Sequence, residues 1–174
     1  MSADAEAWLV RTSVQVALVG YLAGPASLAL ERYDRARALL RAIWTVGFVA
    51  FVVHVLAAFD AFYAWSHAVA FADVARQSAE RFGFDSGSGL YLNYLFLALW
   101  GADAAWWWWR PQSHAARPAA LSALIHGFLF FIVFNGTVVF ASGFSRWLGL
   151  VATAAWIVSL ASLALRKRRR RAHA

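Results

Sequence analysis

Five runs of mainly apolar residues alternate with short polar segments along the chain. An α-helix rises about 1.5 Å per residue and the hydrocarbon core of a bilayer is about 30 Å thick, so a run of about 20 apolar residues is long enough to cross it. The pattern predicts an all-α fold, a multi-pass transmembrane helical bundle that forms a single membrane domain. The five predicted spans cover residues 13–30, 42–66, 90–109, 119–141 and 147–165.

The amino-acid composition favours the same class of protein. Hydrophobic residues make up 62% of the 174 residues, which leaves too little polar surface to cover a water-soluble globule of this size. Cysteine is absent, so disulfides, thiolate metal sites and covalently attached haem are excluded. The chain contains no HExxH, Walker or GxSxG sequence, and soluble enzyme classes therefore receive no support.

Basic residues are distributed unequally between alternate loops. The segments before the second span, between the third and fourth, and after the fifth hold twelve of the 16 basic residues. Because basic residues collect on the cytoplasmic side of membranes, the N-terminus is predicted outside and the C-terminus in the cytoplasm, in a bacterial plasma (inner) membrane. This orientation requires an odd number of crossings, in agreement with five.

A dense basic cluster follows the last predicted span. Such a cluster fixes orientation and attracts anionic lipid headgroups, each charge contributing about 1 kcal/mol near the surface. Nucleic acid would also attract these charges, but their position directly after a span favours a membrane anchor and no nucleic-acid partner. The cluster consists of Arg166, Lys167, Arg168, Arg169, Arg170 and Arg171.

Residues 68–89 form the longest segment between two spans, and the charge pattern places it outside. Its first part has apolar residues at helical spacing, Gly83 offers a stop, and residues 86–89 are typical of a turn. We therefore expect an amphipathic helix that lies along the membrane interface. A plain connector is favoured over a lid above a cavity, because long loops are only weakly enriched in function.

Ionisable side chains inside the spans are the best indication of function, because they are costly at membrane depth. His54, Asp103 and His126 lie near the middle of three spans and are expected to meet in one layer. Two imidazoles and a carboxylate would suit a transition metal ion, and two histidines would suit the iron of haem b. The same groups would also suit a proton relay, or simple pairing between helices without any ligand.

A second polar set is predicted towards the outer face. Asp60, Tyr63, His67 and Asn93 would form an outer vestibule, with Asp60 and His67 as further metal-ligand candidates. Over fourteen residues, His54 to His67 resembles the metal-binding stretch of the copper-dependent membrane monooxygenase C subunit, and this resemblance implies that both histidines bind copper. The chain has Ala50 where that family has a carboxylate, and it is not identified as a member.

These observations leave three functions open. The first is an integral membrane protein whose buried His/Asp site binds a metal ion or haem for redox or electron-transfer chemistry. The second is a non-enzymatic small subunit or assembly factor of a larger membrane complex, which would use exposed aromatic side chains, Gly20 and Gly24 as its interface. The third is a small transporter with a His/Asp relay.

Overall fold

In the computed structural model, which describes residues 2–30 and 34–172, the chain is entirely helical apart from short turns. Each predicted apolar run is largely covered by one or two helical segments. A π-helical segment, Asn135–Phe140, follows α7 directly. The helices are α1 Ala3–Tyr21, α2 Ala23–Leu30, α3 Asp34–Tyr63, α4 His67–Phe82, α5 Gly89–Trp109, α6 Pro111–Ala115, α7 Ala119–Phe134 and α8 Gly143–Ala172.

Three helical stretches are long and apolar enough to cross a membrane within the described ranges. They are Arg35–Tyr63, Ala119–Phe140 and Gly143–Ser162. This finding supports a membrane protein with transmembrane helices. The backbone of α8 continues through the basic cluster to Ala172, while the side chains of that cluster lie outside the described part of the chain.

The first apolar run is divided in two at Leu22. Pro25 has no backbone N–H, so it cannot donate to the carbonyl of Tyr21 four residues earlier, and its ring would clash with that carbonyl in a continuous helix. Accordingly, α1 ends at Tyr21 and the Leu22 N–H turns back to the Val19 carbonyl at 3.2 Å. Beyond the break, α2 contacts both α3 and α8.

A glycine contact holds α1 against α3. A Cβ atom added to Gly20 would lie 2.4 Å from the Cα of Gly47, so the two backbones meet without any side chain between them. Gly24, one turn further on, faces the indole ring of Trp44. The predicted close approach of small residues is confirmed. The prediction that Gly20 and Gly24 form an interface with other subunits is wrong, because both face partners within the chain.

Aromatic rings fill the centre of the bundle. Tyr21, Trp44, Phe96 and Trp100 are each at most 2% exposed, and the Trp44 and Trp100 rings lie 5.0 Å apart. Tyr21 contacts both tryptophans, with ring centroids 5.8 and 5.9 Å away. These four residues, named here the aromatic layer, bring α1, α3 and α5 together.

The connector between α3 and α5 is helical over its first part, as the sequence indicates. The Ser66 side chain caps the start of α4, and Gly83 ends the helix in the left-handed conformation with φ 77°. Tyr63, Arg76 and Gln77 all donate to the Asp73 carboxylate. Partial burial acts to raise the pKa of Asp73, but these hydrogen bonds outweigh it and hold the pKa below its ordinary value.

We predict that Gly20→Ala destabilises the bundle, because the new methyl group would force α1 away from α3. Overpacking of this kind costs about 1–3 kcal/mol. The matched control is Gly127→Ala on α7, where an added Cβ has nothing within 4 Å. Unfolding of the detergent-solubilised protein in an SDS titration measures both changes. Equal unfolding midpoints for the two variants would contradict the packing described here.

Candidate functional site

Two prolines shape the hairpin between α5 and α7. The residue before a proline is disfavoured in the helical conformation, and Arg110, before Pro111, accordingly has φ −140° and ψ 65° and ends α5. Pro111 then opens the short helix α6, and Pro118 precedes α7. This folded connection carries His114 and Arg117, and it turns both side chains back towards the bundle.

Asp103 is the centre of a buried polar cluster at this end of the bundle. Its residue exposure is only 3%. One carboxylate oxygen accepts from the Trp44 indole at 3.1 Å, and the other accepts from the Arg117 guanidinium. His114 Nε2 lies 3.3 Å from the same oxygen, and its ring stacks on Trp107 at 5.0 Å. The carboxylate therefore has partners in α3, in α6 and in the turn before α7.

Arg117 links Asp103 to His126. Its Nη2 atom donates to His126 Nε2 at 2.7 Å, and its Nε atom donates to the Ser122 hydroxyl at 2.7 Å. A guanidinium can only donate, so His126 Nε2 must be the accepting, unprotonated nitrogen. The imidazole proton then lies on Nδ1, which is buried and has no hydrogen-bond partner among the described residues. The cluster thus consists of Trp44, Asp103, His114, Arg117 and His126.

His54 does not belong to this cluster. It lies ten residues, or about 15 Å, further along α3 than Trp44. Its Nδ1 atom is 2.9 Å from the Val10 carbonyl of α1. The structure therefore brings together Asp103 and His126 but leaves His54 elsewhere. Hydropathy places the three groups at similar depths, but the alignment of α3 against its neighbours sets His54 nearer to the opposite end.

The predicted outer vestibule is also divided. Tyr63 and Asn93 lie on the walls of two cavities described below, whereas Asp60 and His67 line neither; Asp60, His67 and Asn93 are exposed and Tyr63 is half-buried. The Asp60 carboxylate accepts from the Trp65 indole at 2.9 Å, and the His67 ring packs beside Tyr91 and Tyr94. The four residues therefore do not form one polar space.

Within the described ranges, no group of three or more His, Cys, Asp or Glu side chains is arranged to hold a metal ion. His126 contributes its accepting nitrogen to Arg117, and Asp103 is occupied by donors on both oxygens. The structure thus adds no support for a metal ion or haem iron in this region. The sequence-based ligand set of His54, Asp103 and His126, with Asp60 and His67 as further candidates, stays a prediction.

A central cavity of about 260 Å³ lies between α1, α3, α5 and α7. The Val10 carbonyl can only accept, so His54 donates to it from Nδ1 and keeps the lone pair of Nε2 available in the neutral ring. The buried Trp100 N–H has no hydrogen-bond partner in the described part of the chain. Six of the lining residues are Tyr21, Phe51, His54, Tyr63, Phe96 and Trp100.

A lateral cavity of about 550 Å³ adjoins the central one. It lies between α4, α5 and the π-helical segment. Val74, Asn93, Ile132 and Gly136 line both cavities, so the two spaces are adjacent at these residues. A π-helical turn is wider than an α-helical one and is frequent at functional sites. Here it places Asn135 and Gly136 on the cavity wall.

Sequence reasoning missed Trp44, His114 and Arg117 as partners of Asp103. In the sequence analysis Arg117 is only one of the basic residues that indicate membrane orientation. A carboxylate at membrane depth nevertheless requires a cation, and the next loop supplies this one. The flanking prolines, Pro111 and Pro118, were the remaining signal, since they indicate a folded rather than an extended connection. The direction in which that connection folds depends on contacts with α3 and α5, which no local pattern reveals.

The comparisons with known proteins add no relatives. No protein-family model matches the chain, no curated protein matches it, and no solved structure matches it. Any proposal about function therefore rests on the sequence and the geometry of the chain.

We predict that Arg117→Gln destabilises the protein by about 3–5 kcal/mol, because it leaves the buried Asp103 carboxylate without its cation. The double variant Asp103→Asn/Arg117→Gln should recover much of this loss, since neither charge remains. Unfolding in an SDS titration measures each variant. Arg76→Gln, at an exposed ion pair on α4, is the control and should lose far less. A double variant no more stable than Arg117→Gln alone would show that the charges do not act as a pair.

Proposed function

We propose that this chain is a membrane protein that binds a quinone-class molecule, a ring bearing carbonyl or hydroxyl oxygens, in its central cavity. The observation that carries the proposal is an aromatic-lined cavity whose wall includes His54, with its Nε2 lone pair available, and Trp100, whose buried N–H beside the cavity is unpartnered among the described residues. A buried donor without an acceptor costs about 1–3 kcal/mol. The Trp100 N–H is fully buried in the ligand-free chain, so a ligand carbonyl would accept from it once the indole turns towards the cavity, and the hydrogen bond would remove this cost.

The chemistry of the cavity wall supports a ring with oxygen substituents. Phe51, Phe96 and Trp100 offer faces and edges against which a flat ring packs. His54 Nε2 is an acceptor for a ligand hydroxyl, so the same cavity suits a quinone carbonyl at one end and a quinol hydroxyl at the other. Apolar walls with a few polar groups are typical of small-molecule sites.

We place the site in a bundle with five crossings in a bacterial inner membrane, with the N-terminus outside and the C-terminus in the cytoplasm. The three apolar stretches support the membrane location. The charge distribution supports the orientation. In this arrangement the Asp103 cluster faces the cytoplasm and the two cavities lie towards the outside. The basic cluster, residues 166–171, would bind anionic headgroups.

The test is calorimetric titration of the detergent-purified protein with 2,3-dimethoxy-5-methyl-benzoquinone, a quinone ring without a tail. Saturable binding is expected, and Trp100→Phe should weaken it about five- to tenfold because one hydrogen bond is lost while the ring remains. His54→Leu should also weaken it. The chain contains no cysteine, so the quinone has no thiol to modify.

Trp109→Phe is the matched control, because Trp109 is 82% exposed and lines neither cavity. This variant should bind as the wild type does. Trp100→Phe removes an unpartnered donor but also leaves a gap in the aromatic layer, because Trp100 is only 1% exposed. The unfolding midpoint of the ligand-free variant is therefore measured beside that of the wild type, and affinities are compared under conditions in which both proteins are folded. The absence of saturable binding, or unchanged affinity of Trp100→Phe, would refute the proposal.

A further inference from the structure

We infer that the lateral cavity holds the apolar tail of the same ligand, so that the ligand is a tailed, membrane-dissolved quinone and not a free ring. This inference rests on the proposed function. The tail would leave the central cavity at Gly136 and run between α4 and the π-helical segment. The inference is based on the position of the two cavities side by side, with a shared wall formed by Val74, Asn93, Ile132 and Gly136.

The lateral cavity has the size and the wall for an apolar chain. Its volume of about 550 Å³ is roughly twice the 260 Å³ of the central cavity, which leaves room for an alkyl chain. Phe82, Phe131, Phe140 and Leu92 provide apolar surface. An apolar chain that packs there gains contacts with side chains in place of contacts with lipid.

Four of the six polar side chains on the same wall are hydrogen-bonded within the protein, whereas Ser78 and Asn93 have no hydrogen-bond partner among the described residues. Gln77 donates to Asp73 at 2.8 Å, and the Asn135 amide donates to the Phe131 carbonyl at 2.8 Å. Ser86 and Ser88 are hydrogen-bonded to one another at 2.8 Å. These groups therefore do not require a polar ligand, unlike Trp100 in the central cavity. The contrast assigns the oxygen-bearing ring to the central cavity and the tail to the lateral one.

Gly136 offers a direct way to close the passage. A Cβ atom added there meets nothing within 4 Å, so a larger side chain would project into open space. Gly136→Leu should therefore fold and obstruct the junction of the two cavities. Gly127→Leu is the matched control, because Gly127 lies on α7 with equally open surroundings and lines neither cavity.

The experiment compares two probes, 2,3-dimethoxy-5-methyl-benzoquinone and its 6-decyl derivative, on each variant in the same detergent. Partitioning of a probe into micelles is the same for all variants, so it cancels when the affinity of a variant is divided by the affinity of the wild type for the same probe. Gly136→Leu should weaken the decyl probe about tenfold and leave the tailless probe within about twofold. Gly127→Leu should change neither. Ile132→Phe, which narrows the same junction, should repeat the pattern.

The outcomes separate the two proposals. If the tailless probe does not bind the wild type, the proposed function fails. If it binds, but both junction variants hold the decyl probe as tightly as the wild type does, the tail lies in lipid and only this inference is overturned. Equal weakening of both probes would also overturn it, because it would show that the junction is part of the ring site.

Discussion

The burial of the Asp103 carboxylate is the constraint on which this end of the bundle depends. A carboxylate removed from water is tolerated only if its charge and its lone pairs are satisfied. Here one partner comes from α3, one from α6 and one from the turn before α7. Because Arg117 also donates to His126, a single charge pair fixes the relative position of α3, α5 and α7. The two prolines around α6 make this possible, since they fold the connection back onto the bundle.

The polar cluster and the cavities are joined by the aromatic layer. Trp44 donates to Asp103 with its indole N–H and packs against Trp100 with its ring. Trp100 and Tyr21 in turn line the central cavity. The ion pair therefore supports the position of the Trp100 N–H, and with it the geometry offered to a ligand. Gly20 and Gly47 contribute by letting α1 approach closely enough for Tyr21 to reach both tryptophans.

Hydropathy predicted the helices and a glycine predicted the helix stop at Gly83, because these depend on neighbouring residues in the chain. Residue size predicted a close approach at Gly20, but its partner Gly47 on α3 became known only from the structure. The same signals grouped His54 with Asp103 and His126, whereas the structure separates it from them. Depth along a span is known from sequence only to within a turn or two, and the offset between α3 and its neighbours is set by packing. The sequence does not predict the cavities either, because they arise where α4 and the π-helical segment leave the space beside α5 unfilled.

The aromatic layer lies between His54 and the Asp103 cluster. A relay across the membrane would need polar groups that follow one another from His54 to Asp103. In the described structure the space between them is filled by the aromatic layer, whose four members are each at most 2% exposed. The charged groups beyond it hold one another in place and line neither cavity. The aromatic layer therefore separates the two cavities from the Asp103 cluster.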